Sequence, residues 1–494
     1  MRPLRKNACG LRRLIAVFLL TLTSSPVRAF DSDLWTHYTN QNIVNSIAEG
    51  EDEIYFATNG GVRRYHRFRQ TWLRSITTAD GLPDNRVQAI SFDPKSGDLT
   101  IHTRTGTSRW MSRLESLTLS GLIEPAPRPY IPRIPTVTPP FGYYINGNII
   151  RGPHRDYRIS DVLIDTWNTL WIATEGLGIG KADLNFNNLE FLQSGPTTQN
   201  VTAIEMDGDE LWVGGRDTFD SFSRGISRFD RVRQTWRYYD AVETHRLDNT
   251  QISDILSDST DVWFGTDIGI FRYRKGPETW DTYRFSSGIG TRHLREVTAI
   301  TKGSDRLWMG TDRGLAVLDL KTDTMRVVDG SHAFRIRNLA TGDTHIWAAT
   351  DKGLFKTDID KVTWKEASPD PATRQPILAL DTSGDTTWAF AAHPPTLLVS
   401  TDPDSAWRSL ELPEAAGQRH ASISAGGKRA WIGTESGIFR VNTVSGKSTI
   451  LTQLDGMLND RVNVVLLDRN SVWFGGPEGL SLYRWVDDYS DPEN

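Results

Sequence analysis

The chain has 494 residues, of which 56 are lysine or arginine and 61 are aspartate or glutamate, giving a net charge of −5 at pH 7. This balance argues against nucleic acid as a partner, because neutralising phosphates requires clustered basic residues. The single cysteine, Cys9, leaves the chain unable to form an internal disulfide, so a large core has to supply the stability.

The first 29 residues (1–29) predict a cleaved signal peptide. They open with basic residues, continue with the apolar run Leu14–Leu22 and end on Val27-Arg28-Ala29, which suits a signal peptidase. The apolar run would form a helix of roughly 13 Å, too short for a bilayer core of roughly 30 Å. We therefore expect a periplasmic or secreted protein, with no membrane-spanning segment in the mature chain and a short polar tail at 487–494.

Residues 30–486 are dominated by one repeated unit, which reads LWFGT-x-x-G-L in idealised form. We call its second residue, usually tryptophan, the anchor. The copies at 100 and 388 are degenerate, and those at 171 and 212 carry extra residues in the turn. The anchors are Tyr55, Thr100, Trp171, Trp212, Trp263, Trp308, Trp347, Trp388, Trp431 and Trp473.

Two further registers accompany the anchors. An aliphatic residue stands eight positions before nine of the ten anchors, and only the copy at Thr100 breaks the spacing. A W-x-x-Y pattern or a relative of it follows most copies, as in Trp280-Asp281-Thr282-Tyr283. Because these roles recur in every unit, the tryptophans are interpreted as packing residues between units and not as ligand-stacking residues.

Each unit reads as four short strands, and most anchors lie between 39 and 51 residues apart. This length and the absence of a helical period are typical of four-stranded propeller blades. We expect the glycine or alanine two residues after the anchor to make room for an aromatic ring of the next blade. The fold class is therefore an all-β propeller of about ten blades.

The two ends of the repeat region predict how the propeller closes. The region opens with Trp35-Thr36-His37-Tyr38, a fourth strand with no blade before it, and closes with the third strand Gly479–Tyr483. The N-terminal strand would then complete the last blade and remove an exposed edge. This favours one closed ring, and two stacked smaller propellers are the alternative.

The repeats resemble the two-component regulator propeller repeat of bacterial sensor kinases. The most specific segments are Asp80–Val87 (DGLPDNRV) and Asp455–Val462 (DGMLNDRV), each leading into a first strand and then an anchor strand. The resemblance implies an extracellular ligand-binding sensor, often for glycans. No kinase or membrane helix follows the repeats here. The expected partner is therefore a glycan or peptide ligand, or an envelope or signalling protein.

The sequence offers no catalytic or metal-binding motif. Its ten histidines are scattered, there is no H-E-x-x-H or G-x-S-x-G, and Gly446-Lys447-Ser448 lacks the spacing of a phosphate loop. We therefore assign no catalytic residue, no metal ligand and no cofactor. An enzyme assembled from several blades is kept as an alternative, because one sequence would hide it.

Function is better sought where the repeat breaks, because the blade explains only the recurrent residues. The connector after Trp212, Gly214–Gly225, is longer than its counterparts and falls on the loop face around a propeller's opening. Its two phenylalanines could stack on a sugar or a peptide, and its arginines and aspartates could form hydrogen bonds with it. A solvated loop tip is the simpler interpretation. The candidate ligand-binding residues are Arg216, Asp217, Phe219, Asp220, Phe222 and Arg224.

Two other breaks are assigned structural roles. The proline-rich stretch 112–161 is interpreted as a stiff linker over a degenerate half-blade, with a rescued hairpin at Tyr143–Arg151. The segment Ala389–Pro395 loses the expected turn, and its His393 is interpreted as an irregular surface residue. The sequence thus favours an exported, non-enzymatic propeller with a sensor or scaffold role, and a propeller lyase or hydrolase acting on a polysaccharide is the alternative.

Overall fold

A computed structural model describes residues 34–120, 131–153, 155–216, 225–239, 251–285, 291, 293–368, 370–401 and 407–485. Within these residues the strands form ten antiparallel sheets, nine of four strands and one of six. Each sheet is an antiparallel meander, and in nine of the ten the strands are consecutive in the chain. This is the form of a propeller blade. Short 3-10 turns cover Thr78–Asp80, Pro371–Arg374, Pro413–Ala415 and Gln453–Asp455.

The blades are numbered in chain order. Blade 1 comprises β2 (Val44–Glu49), β3 (Glu53–Thr58), β4 (Gly61–His66) and β5 (Thr71–Ile76). Blade 2 comprises β6 (Val87–Asp93), β7 (Asp98–Thr103), β8 (Thr107–Met111) and β9 (Ser116–Ser120). Blade 3 comprises β10 (Tyr144–Asn146), β11 (Ile149–Arg151), β12 (Asp156–Ile164), β13 (Thr169–Thr174), β14 (Ile179–Asp183) and β15 (Leu189–Leu192).

The next three blades have four strands each. Blade 4 comprises β16 (Val201–Asp207), β17 (Glu210–Gly215), β18 (Ile226–Asp230) and β19 (Thr235–Tyr239). Blade 5 comprises β20 (Ile252–Ser257), β21 (Asp261–Thr266), β22 (Gly269–Arg274) and β23 (Thr279–Arg284). Blade 6 comprises β24 (Val297–Gly303), β25 (Arg306–Thr311), β26 (Gly314–Asp319) and β27 (Thr324–Val327).

The last four blades complete the repeat region. Blade 7 comprises β28 (Ile336–Thr341), β29 (His345–Thr350), β30 (Gly353–Asp358) and β31 (Trp364–Glu366). Blade 8 comprises β32 (Ile377–Ser383), β33 (Thr386–Ala392), β34 (Pro395–Ser400) and β35 (Arg408–Glu411). Blade 9 comprises β36 (Ala421–Gly426), β37 (Arg429–Thr434), β38 (Gly437–Asn442) and β39 (Ser448–Leu451). Blade 10 comprises β40 (Val464–Asp468), β41 (Ser471–Gly476), β42 (Gly479–Tyr483) and β1 (Trp35–Tyr38).

The predicted closure of the last blade by the N-terminal strand is confirmed. Strand β1 pairs antiparallel with β42, with Trp35 opposite Tyr483 and Tyr38 opposite Leu480. The pairing removes the open edge that β42 would otherwise present. One blade therefore contains both ends of the repeat region.

The favoured single ring of ten blades is not what the structure shows. Seven innermost strands contact one another in the order β16, β20, β24, β28, β32, β36, β40, and β40 contacts β16 again. Blades 4 to 10 therefore form a closed ring. Blades 1 to 3 form a separate group in which β2 lies between β6 and β12, so the chain has two units, as the alternative held, but only one of them is a closed ring.

The anchors explain this division. Trp473 of blade 10 packs in one core cluster with Val201 and Ile204 of blade 4, which closes the ring. Trp171 of blade 3 packs in the same way against Val44 and Ile47 of blade 1. Blade 2 ends its group, so an aromatic anchor there would have no following blade to cover it, and Thr100 occupies that position.

The glycine two residues after the anchor allows two blades to pack closely, as predicted. The prediction that an aromatic ring of the next blade faces this glycine was wrong. A Cβ atom added to Gly265 would lie 2.8 Å from Val297, and one added to Gly310 would lie 2.6 Å from Ile336. The neighbour is thus the aliphatic residue that begins the next blade's inner strand, not an aromatic ring. A larger side chain here would push two blades apart.

The proline-rich stretch covers a face of blade 3. In its described part, Ile131, Ile134 and Val137 pack against the blade 3 core, which includes Ile159 and Ile172. The predicted hairpin is confirmed as β10 and β11, and β11 pairs with β12. The segment thus covers apolar surface that no neighbouring blade covers.

The three-blade group is inserted between β1 and β16, and its two ends lie side by side. The Gln41 backbone amide donates to the Ser194 carbonyl at 3.2 Å, and the Asn40 side chain donates to the Thr197 carbonyl at 2.7 Å. This junction brings the loops of blades 1 and 2 against those of blades 4 and 10.

Candidate functional site

The two connectors that carry the resemblance adopt the same local structure. Thr77 and Asp80 form a capping box ahead of Gly81, whose φ is 97°. Thr452 and Asp455 form the same box ahead of Gly456, whose φ is 105°. Glycine suits this left-handed conformation because it has no Cβ atom, so the D-G pair of the motif encodes a tight turn.

The rest of the motif presents an arginine. The Asp84 side chain accepts a hydrogen bond from the Arg86 amide at 2.9 Å, and the Asn459 side chain accepts one from the Arg461 amide at the same distance. The side chain two residues before each arginine therefore fixes its backbone. Arg86 and Arg461 are equivalent residues in the two connectors.

The structure brings both connectors to one cavity of about 1160 Å³ between the three-blade group and the ring, which we call the junction cavity. The Thr78 hydroxyl of one connector donates to the Leu458 carbonyl of the other at 2.8 Å. The lining residues include Thr78, Asp84, Arg86, Arg104, Gln199, Asn200, Arg216, Leu454, Asn459, Arg461 and Glu478.

A hydrogen-bond network joins the two units at this cavity. Glu478 accepts from Gln199 at 3.0 Å and from Asn85 at 3.2 Å, while Arg86 donates to Gln199 at 3.2 Å. Burial raises the pKa of Glu478, while Gln199 and Asn85 act in the opposite direction. The network spans blades 2, 4 and 10, so a ligand in the cavity would contact a wall that both units build.

The cavity is basic on balance. Four arginines line it against two carboxylates, Asp84 and Glu478. Arg104 lies 3.4 Å from Asp84, and Arg216 forms an ion pair with Glu296. No aromatic side chain lines this cavity among the described residues, so its chemistry favours charge and hydrogen bonding over stacking.

One of the six predicted ligand-binding residues can be placed. Arg216 lines the junction cavity. Asp217, Phe219, Asp220, Phe222 and Arg224 lie outside the described residues. Arg86, Arg461 and Glu478 also line the cavity but were not among the predicted site residues. The repeated connector motif was the signal that could have identified the two arginines.

A second cavity of about 330 Å³ lies among the inner strands of the seven-blade ring, and we call it the ring channel. It shares Asn200, Arg216 and Arg461 with the junction cavity, so the two adjoin. All seven blades of the ring contribute to its lining, which includes Thr202, Ser253, Asp254, Glu296, Thr298, Arg335, Arg337, Asn338, Leu378, His420, Ser422 and Asn463.

His420 has a defined protonation pattern in this channel. Its Nε2 lies 2.9 Å from the Asn463 carbonyl oxygen, which can only accept, so Nε2 carries the proton and donates. Burial lowers the pKa of His420. The imidazole is therefore neutral at physiological pH, with the lone pair on Nδ1.

Other features of the chain add no candidate site. His393 is exposed in the turn between β33 and β34, as predicted for a surface residue. In the described part of the chain, no cluster of three or more His, Cys, Asp or Glu could hold a metal ion. No described helix is long and apolar enough to cross a membrane.

No protein-family model matches the chain, and no curated protein matches it either. Solved structures do resemble it. The extracellular domain of a putative hybrid two-component system from B. thetaiotaomicron is 15% identical with a TM-score of 0.49, covering 89% of this chain and 69% of that chain.

Two further solved structures have a similar level of likeness. PorZ, a surface component of the type-IX secretion system of Porphyromonas gingivalis, is 14% identical with a TM-score of 0.48, covering 89% of this chain and 68% of that one. Virginiamycin B lyase from Staphylococcus aureus is 13% identical with a TM-score of 0.47, covering 58% of this chain and 94% of that one. The propeller assignment itself rests on the strand pairing of this chain.

Proposed function

We propose that the chain is an exported, non-enzymatic β-propeller that recognises an extracellular or periplasmic glycan, peptide or envelope protein through its loop face. The junction cavity is the proposed site. The observation that carries the proposal is the convergence of Arg86 and Arg461, from two equivalent connectors, on this one cavity. A ligand there would contact both units at once and could hold them in one arrangement.

Three features support recognition over a purely structural role for the cavity. Its volume of about 1160 Å³ is ample for an oligosaccharide fragment or a peptide side-chain cluster. It is lined by arginine, asparagine and glutamine, which are directional hydrogen-bonding groups. Arg216, which belongs to the long connector Gly214–Gly225, lies on its wall.

Export and a sensor-like role belong to the same proposal. The predicted signal peptide at 1–29 supports export, and the connector motifs support kinship with the two-component regulator propellers. The repeats themselves carry no kinase motif, so a sensor-like role places the signal output outside the propeller.

The test is thermal unfolding of the purified chain against a panel of neutral and acidic oligosaccharides and peptides. A ligand present at a hundred times its dissociation constant stabilises the folded chain by about 2.7 kcal/mol. We expect one ligand class to raise the unfolding temperature of the wild type and of Arg69→Gln, a surface control in blade 1. Arg86→Gln should lose most of the rise, and an equal rise in Arg86→Gln would refute the junction cavity as the site.

A polysaccharide lyase is the second candidate, and His420 is the observation that favours it. Its neutral imidazole has a free lone pair on Nδ1, which could remove a proton beside a sugar carboxylate. Arg337 and Arg461 lie close enough to lower the pKa of His420 further, and such cations would stabilise the negative charge that develops. Incubation with polyuronates, followed by ultraviolet absorbance of unsaturated products, decides this candidate, because His420→Ala should abolish any turnover.

A further inference from the structure

The inner strands are joined by a repeated polar contact. The second residue of one inner strand donates to the carbonyl oxygen of the first residue in the next blade's inner strand. Thr202 donates to Ile252 at 2.6 Å, and Thr298 donates to Ile336 at 2.8 Å. The same contact is made by Asn45 to Val87 and by Ser253 to Val297. In blade 10, Asn463, the residue just before β40, donates to the Val201 carbonyl.

Blade 7 departs from this pattern. Its inner strand β28 begins at Ile336, so its second residue is Arg337. Blades 1, 4, 5 and 6 have at this position the hydroxyl or side-chain amide that makes the contact, and blade 8 has Leu378. The Nε atom of Arg337 is buried and has no hydrogen-bond partner among the described residues. The Oδ1 atom of the adjacent Asn338 is likewise buried without a partner. An unpaired buried donor on a charged group destabilises the fold unless something occupies the space beside it.

Arg337 shares the channel with two further arginines and with the neutral imidazole of His420. Arg335, His420 and Arg461 line the same channel. Burial and the nearby charge of Arg335 both lower the pKa of Arg337, and Asp351 acts against them. Arg335 and Arg337 therefore place two like charges near each other in the channel.

The two carboxylates that line the channel, Glu296 and Asp254, have other partners than Arg337. Glu296 forms an ion pair with Arg216. Asp254 accepts from the backbone amide of Ile300 at 2.7 Å and from that of Ile255 at 2.9 Å. Neither acid is therefore the natural counter-ion of Arg337.

We propose that the ring channel binds the oxyanion group of a small ligand, a carboxylate or a sulfate, on Arg337 with Arg335 and Arg461 beside it. A guanidinium group suits this role because its planar donors match the oxygens of such groups. The volume of about 330 Å³ suits a ligand of roughly monosaccharide size. The inference rests on the proposed function, since it names the chemical class of a ligand that enters through the adjoining junction cavity.

The test is isothermal titration calorimetry at constant ionic strength with three probes: sodium D-galacturonate, its uncharged methyl ester and sodium sulfate. We expect saturable binding of galacturonate, sulfate or both, and binding of the ester at least roughly tenfold weaker than that of galacturonate. Galacturonate without sulfate would identify a planar carboxylate as the preferred group, and sulfate without galacturonate would identify a tetrahedral one.

Arg337→Thr is the decisive variant, because threonine restores the residue type found at the equivalent position of blades 4 and 6. It should fold with an unfolding temperature at or above that of the wild type and bind the anions at least roughly tenfold more weakly. Arg326→Gln, which removes an exposed arginine on blade 6, is the charge-matched control and should bind like the wild type.

Anion binding that Arg337→Thr leaves unchanged would overturn the inference. Binding of a neutral panel ligand at the junction cavity, with no binding of either anion, would also overturn it while leaving the proposed function intact. If neither the anions nor any panel ligand bind, both proposals fail.

Discussion

Gly310 illustrates how a single residue sets the distance between two blades. Its Cα lies so close to Ile336 of the next blade that a Cβ atom would approach Cγ2 of that side chain to 2.6 Å. Gly310→Ala should destabilise the chain by about 1–3 kcal/mol, the usual cost of overpacking a tight core. Thermal unfolding measures this, with Gly276→Ala as the control, because a Cβ atom at Gly276 meets nothing within 4 Å. Equal stability of the two variants would contradict the packing described.

The titration of Asp254 should make the stability of the folded chain depend on pH. Burial raises its pKa to about 7, although two backbone amides donate to it. The pKa of Asp254 is thus higher in the folded chain than in the unfolded chain. The protonated side chain therefore contributes its full stabilisation below the unfolded pKa, and this stabilisation is lost as the pH rises through about 7. The stability of Asp254→Asn relative to the wild type should therefore increase from about pH 5 to about pH 8, as measured by urea unfolding.

Asp230 provides a control of opposite sign. Hydrogen bonds from the Arg233 backbone and side chain lower its pKa. Its stabilising contribution is present above the unfolded pKa and is lost as pH falls, so Asp230→Asn should become relatively less stable as pH rises. A pH trend of the same sign for both variants would rule out the assigned role of Asp254.

At the scale of elements, the closing strand β1 is the clearest case. Trp35 is 6% exposed and its ring stacks on that of Tyr483, with centroids 4.6 Å apart. Trp35→Ala should cost about 3–5 kcal/mol, as removal of a buried aromatic does, and lower the denaturant midpoint accordingly. Trp167→Ala, at a residue that is 50% exposed, should cost much less. Comparable losses would mean that β1 does not secure the ring.

The individual elements were largely predictable from the sequence. The anchor, the glycine after it and the aliphatic residue before it recur at fixed spacing, so strand positions and blade count follow from local chemistry. The hairpin of β10 and β11 was visible as well. The grouping of blades was not, because the same repeat can pack on any following blade, and only the loss of an aromatic at Thr100 marked where a group ends.

The candidate site was predictable only in part, for a related reason. The sequence identified both connectors and Arg216 as unusual. It did not predict that Arg86 and Arg461 line one cavity, because no local pattern reports a contact between residues so far apart in the chain. Their approach depends on the insertion of three blades beside the ring. Arg337 was hidden for a different reason: it departs from a hydroxyl pattern whose purpose is evident only once the inner strands are seen side by side.

At the scale of the whole molecule, a closed seven-blade ring and a three-blade group inserted beside blade 10 enclose a basic cavity between them. The aromatic anchors pack against other blades of their own unit, as Trp473 does against blade 4 and Trp171 against blade 1. Contact between them is polar at the cavity, through Glu478, Gln199 and Asn85. Such contacts are weak enough for a ligand to influence, which is what a sensor-like role requires.

Chemical blocking of the junction cavity shows whether recognition takes place between the two units. Thr105 is exposed on the cavity wall, and Cys9 is the only native cysteine, so Thr105→Cys can be labelled selectively with a bulky maleimide in a chain that lacks residues 1–29. The account predicts that labelled Thr105→Cys loses the binding of whichever panel ligand stabilises the wild type, whereas labelled Gly276→Cys, on a distant turn, retains it. Full binding by the labelled Thr105→Cys protein would mean that recognition does not take place between the two units.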